Sequence, residues 1–108
     1  MTKDKDEEIL VQLPPMHPGE VLREDFLEAR GLTPYALAKE IGVPRTRIER
    51  IAREELGISA HTALLLAARF GTSAEFWLNL QRDYEVELAQ IEIGEQADAI
   101  AERFRKAS

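Results

Sequence analysis

The stretch TPYALAKEIGVPRTRIERIAR, residues 33–53, decides the fold of this chain of 108 residues. It contains two short segments with apolar side chains at helical spacing, and a glycine joins them. A helix-turn-helix needs a small residue where its helices cross, a glycine in the turn and branched apolar residues on its second helix. Ala38 is the small crossing residue, Gly42 the turn glycine, and Val43, Ile48 and Ile51 the anchors of the second helix, while Leu37 and Ile41 complete the inner face of the first. We therefore predict a helix-turn-helix over residues 33–53.

Helix-start and helix-end signals on both sides of this stretch predict further helices. Pro18 favours the start of a first helix, which ends at Gly31 and carries its apolar residues at helical spacing. These residues are Leu22, Phe26 and Ala29. Ser59 is the expected N-cap of a fourth helix. The sequence Thr-Ser-Ala-Glu from Thr72 predicts a capping box for a fifth helix.

The chain is accordingly predicted to be all-α, with three parts. Residues 1–16, which are rich in proline, are predicted to form a flexible N-terminal arm. The alternative prediction for them is a frayed tail. Residues 17–92 form the helix-turn-helix DNA-binding domain. Gly94 is expected to interrupt the fifth helix, so that residues 93–108 form an extra C-terminal helix as a tail.

Composition excludes several classes of protein. The chain has no cysteine, so it has no disulfide and no thiolate metal site. It contains no long apolar run and begins with charged residues, which indicates a cytoplasmic protein without a membrane segment. The two histidines, His17 and His61, have no partner at metal-ligand spacing, and no catalytic group, cofactor or small-molecule substrate is predicted.

Charge is distributed unevenly along the chain. Its net charge of -6 argues against nonspecific binding to nucleic acid. Residues 45–53, however, hold four arginines and one glutamate, for a net charge of +3. This basic stretch coincides with the second helix of the predicted motif, so the basic residues are concentrated where a DNA-binding helix would lie.

The outward face of that second helix carries the predicted DNA contacts. Ile48 and Ile51 fix its buried side, and the polar side chains point away from them. Arginine donates two parallel hydrogen bonds to guanine, threonine contacts a thymine methyl, and glutamate accepts from cytosine. Predicted base contacts are Arg45, Thr46, Glu49 and Arg50, and predicted phosphate contacts are Arg47 and Arg53 with the helix starts at Thr33 and Ser59. The alternative is a solvated face on which Glu49 pairs with Arg53.

Three segments together resemble a known family: MHPGEVLREDFLE from residue 16, LAKEIGVPRTRIERI from residue 37 and GISAHTALLLAARFGTSAEFWLNLQ from residue 57. They resemble the HigA (VapI-like) antitoxins of the XRE/Cro–C1 helix-turn-helix class, over roughly residues 16–90. The resemblance implies a five-helix lambda-repressor-like domain that dimerises. It further implies binding of a HigB-like toxin, an mRNA-cleaving ribonuclease, and repression of the antitoxin's own operon through double-stranded operator DNA.

Two surfaces are candidates for the implied protein partners. The apolar stripe along the fifth helix predicts a homodimer seam, with Trp77, Leu80, Tyr84 and Leu88 as its members. For Trp77 the alternative is a place in the domain core. The apolar part of the acidic arm predicts a toxin contact, formed by Ile9, Leu10, Val11 and Leu13.

The sequence departs from the family where members often carry basic residues after the second helix of the motif. It has Glu54, Glu55 and Leu56 there, and acids near phosphates are expected to lower DNA affinity. Two alternatives therefore stay open beside the antitoxin. One is a solitary transcription regulator of the same class, and the other is a protein-interaction module that has lost DNA binding.

Overall fold

The computed structural model describes residues 13–107, which form five helices and no strand. Helix α1 has three consecutive segments: an α-helical Pro18–Val21, a π-helical Leu22–Leu27 and a 3-10 Glu28–Arg30. It is followed by α2 (Pro34–Ile41), α3 (Arg45–Ala52), α4 (Ala60–Phe70) and α5 (Ala74–Ala107). The predicted all-α helix-turn-helix architecture is confirmed, since α2 and α3 lie at the predicted stretch.

Side-chain caps define most of the helix starts. Thr33 Oγ1 accepts a hydrogen bond from the Ala36 N–H at 3.1 Å, and Ser59 Oγ accepts from the Thr62 N–H at 3.2 Å. Between α2 and α3, Gly42 adopts a φ of 73°, which a residue with a Cβ rarely adopts. The turn of the motif is therefore specified by the residue that the sequence places there.

The start of α5 differs from the predicted capping box by one residue. The Phe76 N–H donates to Ser73 Oγ at 3.0 Å, so Ser73 rather than Thr72 caps the helix. Thr72 Oγ1 instead accepts the indole N–H of Trp77 at 2.8 Å. A buried indole N–H needs such a partner, and this requirement accounts for the displaced cap.

The π-helical segment of α1 changes which residues the helix buries. Leu22 and Leu27, five positions apart, are both buried, whereas Ala29, which helical spacing groups with Leu22 and Phe26, is exposed. Hydrogen bonds from residue i+5 to residue i characterise a π-turn, and the Glu28 N–H donates to the Arg23 carbonyl in this way. The wider turn brings residues five apart onto one face, which a 3.6-residue period does not predict.

The core is centred on Trp77, which has no exposed surface. Its ring centroid lies 4.8 Å from that of Phe26 and 5.0 Å from that of Phe76, and Phe70 packs beside Phe26 at 4.9 Å. The predicted role of Trp77 in a dimer seam is therefore wrong for this conformation. The surrounding helices enclose the large ring, so Trp77 occupies the domain core, which was the alternative prediction for it.

Helix α5 continues without interruption through Gly94. Glycine in a helix interior costs about 1 kcal/mol relative to alanine, which lowers stability locally but does not end a helix. The predicted break and the separate C-terminal helix are therefore wrong. The 34 residues of α5 span about 51 Å at 1.5 Å per residue, which makes the molecule elongated, with extents of 55 × 36 × 23 Å. No helix within the described residues is long and apolar enough to cross a membrane.

Candidate nucleic-acid interface

Helix α3 separates an apolar side from a charged side. Ile48 and Ile51 have no exposed surface, and they fix α3 against the core. On the other side, Thr46 and Arg50 are exposed, and the side chain of Arg45 is 61% exposed. An exposed basic helix face of this kind has the dimensions and donors that a DNA major groove accepts.

Glu49 lies half-buried among these arginines and pairs with Arg45, at 3.5 Å between carboxylate and guanidinium. The alternative prediction of a pair with Arg53 is wrong. Arg53 is the C-cap of α3, and its backbone N–H still donates to the Glu49 carbonyl at 3.0 Å, but its side chain does not pair with the Glu49 carboxylate. Its guanidinium is instead 3.6 Å from the Glu55 carboxylate.

The residues predicted to contact phosphate are distributed over two places. Arg47 and Ser59 line one open depression of about 430 Å³ with His61, at the start of α4. Thr33 lies at the start of α2, and it lines a second depression with Arg53. Both depressions combine an arginine with the N-terminal end of a helix, where backbone N–H groups attract anions.

Helix α1 holds α3 in place by direct backbone contact. A Cβ added to Gly19 would lie 1.8 Å from the Ile51 carbonyl oxygen, so no other residue fits there without moving one of the helices. This contact was not predicted from the sequence. A glycine in the first turn of a helix, where it lowers helix propensity, is the signal that could have indicated a close approach.

His17 caps the same turn of α1 in its neutral form. Its Nδ1 accepts a hydrogen bond from the Gly19 N–H at 2.8 Å, and its ring meets the edge of Tyr84 with 4.8 Å between centroids. The side chain is buried, and burial lowers the pKa of His17 below its usual value. The nearby Glu54 charge opposes this effect, and the Arg23 charge adds to it.

Arg23 joins the middle of α1 to the C-terminal end of α3. Its guanidinium donates to the Ala52 carbonyl at 2.5 Å and to the Glu54 carboxylate at 3.1 Å, and it also pairs with Glu24 at 3.1 Å. A cation at a helix C-terminus stabilises the carbonyl groups that have no partner within the helix. Arg23 thus pairs with one of the two acids that were expected to weaken DNA binding.

Glu54 occupies the left-handed position that ends α3, with a φ of 65°. Its N–H donates to the Ile51 carbonyl at 2.9 Å, and the Glu55 N–H donates to the Arg50 carbonyl at 2.8 Å. This pair of bonds is the Schellman motif, in which glycine is the usual residue. Because glutamate stands at this position, the way in which α3 ends was not predicted.

A comparison with known families and proteins identifies the chain's relatives. The sequence model of the helix-turn-helix family matches residues 24–77. Virulence-associated protein I of Dichelobacter nodosus is 47% identical over 79 residues, which are 73% of each chain. The solved structure of Pseudomonas aeruginosa antitoxin HigA with the higBA promoter is 42% identical, with a TM-score of 0.77, over 79% of this chain and 92% of that one. The chain belongs to the HigA/VapI-like helix-turn-helix antitoxins.

Another relative of known structure is antitoxin GraA in complex with its operator. It is 39% identical, with a TM-score of 0.76, over 81% of this HigA-family chain and 88% of that chain. Members of this family are DNA-binding, non-enzymatic proteins. Within the described residues, no group of three or more potential metal-ligating side chains occurs together.

The residues predicted to contact protein partners fall into different environments in this HigA-family chain. Leu80, Tyr84 and Leu88 are half-buried, and Tyr84 packs on His17, so this stripe faces its own domain in part. Leu13 is 58% exposed. The other predicted toxin-binding residues, Ile9, Leu10 and Val11, lie outside the described residues.

Replacing Glu54 with glycine tests whether the left-handed backbone at the end of α3 costs more than the Arg23–Glu54 ion pair contributes. A left-handed φ costs a residue with a Cβ about 1–2 kcal/mol, whereas an exposed ion pair such as Arg23–Glu54 contributes up to about 1 kcal/mol. We expect Glu54→Gly to raise the free energy of unfolding by about 1 kcal/mol in urea denaturation. Glu55→Gly, the matched control at a residue without a positive φ, is expected to lower it. A loss of stability in Glu54→Gly would mean that the Arg23 pair outweighs the backbone cost.

The lowered pKa of His17 predicts a pH dependence of stability. Above pH 7 the histidine is neutral in both the folded and the unfolded chain. As the pH falls below about 6.5, the unfolded chain takes up a proton before the folded chain does, so the free energy of unfolding decreases. His17→Asn keeps a capping acceptor without this titration, and we expect its stability to fall less between pH 7 and pH 5. Parallel curves for the two proteins would contradict the assignment.

Proposed function

We propose that this chain is the antitoxin of a HigBA-type type II toxin–antitoxin pair in the cytoplasm. In this role it represses its own operon by binding operator DNA as a homodimer, and it neutralises a HigB-like ribonuclease toxin. The proposal depends above all on the exposed, arginine-rich face of α3, which lies on a complete helix-turn-helix in a member of the HigA/VapI-like family.

The DNA contacts follow from the position of each side chain. We assign base contacts in the major groove to Arg45, Thr46, Glu49 and Arg50, and the exposure of Arg45, Thr46 and Arg50 on α3 supports this assignment. Arg47 and Arg53, with the starts of α4 and α2, would hold phosphates on either side. Relatives of this chain have been solved with the higBA promoter and with an operator, which supports the same ligand class here.

A homodimer would place two copies of α3 in successive major grooves. Half-sites of the operator would then lie about 34 Å apart, one turn of the DNA. Each domain alone contributes few base contacts, so a second copy is needed for specific binding against a net charge of -6.

The acidic chain suits a basic toxin. RNA-cleaving proteins need positive charge to bind their substrate, and a net charge of -6 favours association with such a partner. The arm, residues 1–16, combines apolar and acidic residues, and we propose it as part of the toxin contact.

Arg50→Ala tests direct base contact. We expect a loss of about 1–3 kcal/mol in binding to the DNA upstream of the gene and a weaker preference over scrambled DNA, measured by fluorescence anisotropy at two salt concentrations. Arg82→Ala removes an equally charged side chain that is 65% exposed on α5, and it should leave both quantities unchanged. An equal loss on every sequence would make Arg50 a phosphate contact. No preference in the wild-type protein would favour the interaction-module alternative.

Deletion of residues 1–15 separates the two activities. We expect the shortened chain to bind its upstream DNA as before and to lose rescue of cells that express the HigB-like toxin encoded beside it. The comparison is growth rescue together with DNA affinity for the full and shortened chains. Intact rescue with weakened DNA binding would overturn the role of the arm, and the absence of a neighbouring toxin gene would favour the solitary regulator.

A further inference from the structure

Tyr35 is a large side chain that the hydrophobic core does not use. It lies in the first turn of α2, directly after Pro34, and it is 52% exposed. The core cluster and the apolar residues packed against it do not include this ring. Apolar stabilisation scales with the area removed from water, so a ring half in solvent contributes little to folding. The neighbours of the ring on the surface therefore indicate what Tyr35 does.

The ring of Tyr35 lies beside the guanidinium of Arg45, the first residue of α3. The distance from Arg45 Cζ to the ring centroid is 5.9 Å. The π face of an aromatic ring attracts a cation at up to about 6 Å, and arginine makes this contact more often than lysine. The contact joins the first turn of α2 to the first turn of α3 through side chains, across the turn of the motif.

Glu49 restrains the same guanidinium from one helical turn further along α3. Its carboxylate Oε2 lies 3.5 Å from Arg45 Nε. The Glu49 side chain is 33% exposed and lines the depression beside the start of α2, together with Thr33 and Pro34. Arg45 is therefore held between a ring on one helix and a half-buried carboxylate on the other. With only one of these contacts, an exposed arginine would keep more of its rotamer freedom.

The end of the Arg45 guanidinium that recognises guanine is not used by these contacts. Glu49 approaches Nε, and within the described part of the chain neither Nη group of Arg45 donates a hydrogen bond. These two groups are the pair that donates to O6 and N7 of guanine in the major groove. An arginine that is already oriented loses less conformational entropy when it binds a base. The restraint on Arg45 therefore favours base recognition.

Two other arginines of α3 lack such restraints. Between residues 13 and 105, the side chains of Arg47 and Arg50 have no ion pair and no aromatic partner. An arginine without restraint can turn toward a phosphate as well as toward a base, and a phosphate contact carries no sequence information. Of these three arginines, Arg45 therefore has the most fixed direction.

We propose that Tyr35 is a positioning residue that, together with Glu49, holds Arg45 in the conformation that reads guanine. Tyr35 itself touches no base in this arrangement. The inference rests on the proposed function, because it requires α3 in the major groove, and it adds a requirement on the DNA. Each half-site of the operator then contains a guanine opposite the first turn of α3, which the Nη groups of Arg45 contact through O6 and N7.

Replacement of guanine by 7-deazaguanine locates this base. The analogue still pairs with cytosine but lacks the N7 acceptor, so it removes one of the two hydrogen bonds that an arginine donates. Each guanine of the DNA duplex from upstream of the gene is replaced in turn, and the affinity of the full chain is measured by fluorescence anisotropy. At one guanine in each half-site we expect a loss of about tenfold for the wild type and none for Arg45→Ala.

Two variants of Tyr35 separate positioning from a structural role. Tyr35→Leu keeps an apolar side chain without a π face, and we expect the loss at this guanine to fall from about tenfold to about threefold or less. Tyr35→Phe keeps the π face and should retain the wild-type loss. In an Arg45→Ala background, Tyr35→Leu should weaken binding no further, whereas an effect on the fold would add to that of Arg45→Ala. Urea denaturation should show similar stability for both Tyr35 variants, because the ring is half exposed.

Three results would overturn the proposal: an equal 7-deazaguanine loss in the wild type and Tyr35→Leu, additive losses in the double variant, or a guanine dependence that persists in Arg45→Ala. In each of these cases the wild type still binds its upstream DNA specifically, so the proposed function stands. A wild type without specific DNA binding would instead overturn the proposed function and this inference with it, which makes the two failures distinguishable.

Discussion

The approach of the Gly19 backbone to the Ile51 carbonyl is the constraint on which the orientation of the exposed basic face of α3 depends. Only a residue without a Cβ allows α1 to lie this close to the end of α3. His17 fixes the start of α1 by accepting from the Gly19 N–H, and Arg23, one turn later, holds the last carbonyl of α3. A single stretch of seven residues thus sets the orientation of α3 and, with it, the direction of the exposed arginines.

Ion pairs explain how an acidic chain keeps a basic helix face. Glu54 is held by Arg23 on the side of α1, and Glu55 is held by Arg53. Glu49 pairs with Arg45 at the start of α3. Within residues 13–105, Arg47 and Arg50 form no ion pair, so their guanidinium groups remain available for an anionic ligand. The acids after α3 therefore neutralise a neighbouring charge instead of adding repulsion to the whole face.

Much of the fold was predictable because local signals decide it. Thr33, Ser59 and Gly42 each specify a helix end through their own side chain or their own backbone freedom, without help from distant residues. The features of the fold that were not predicted depend on tertiary contacts. The Trp77 indole N–H bonds Thr72, which therefore does not cap α5 as expected. A π-helical turn buries Leu27. Glu54 has the positive φ that usually belongs to glycine. Continuity of α5 through Gly94 was also missed, because a modest propensity cost does not end a helix.

The placement of the single tryptophan has a spectroscopic consequence. Trp77 is enclosed by Phe26, Phe70 and Phe76, and its indole N–H is bonded to Thr72, so its fluorescence reports only the state of the domain core. The exposed half of α5 contains no aromatic residue except Phe104 and contributes mainly to the far-ultraviolet circular dichroism of the helices. Thermal melting followed by both signals would therefore resolve loss of the distal helix from loss of the domain, within one unlabelled sample.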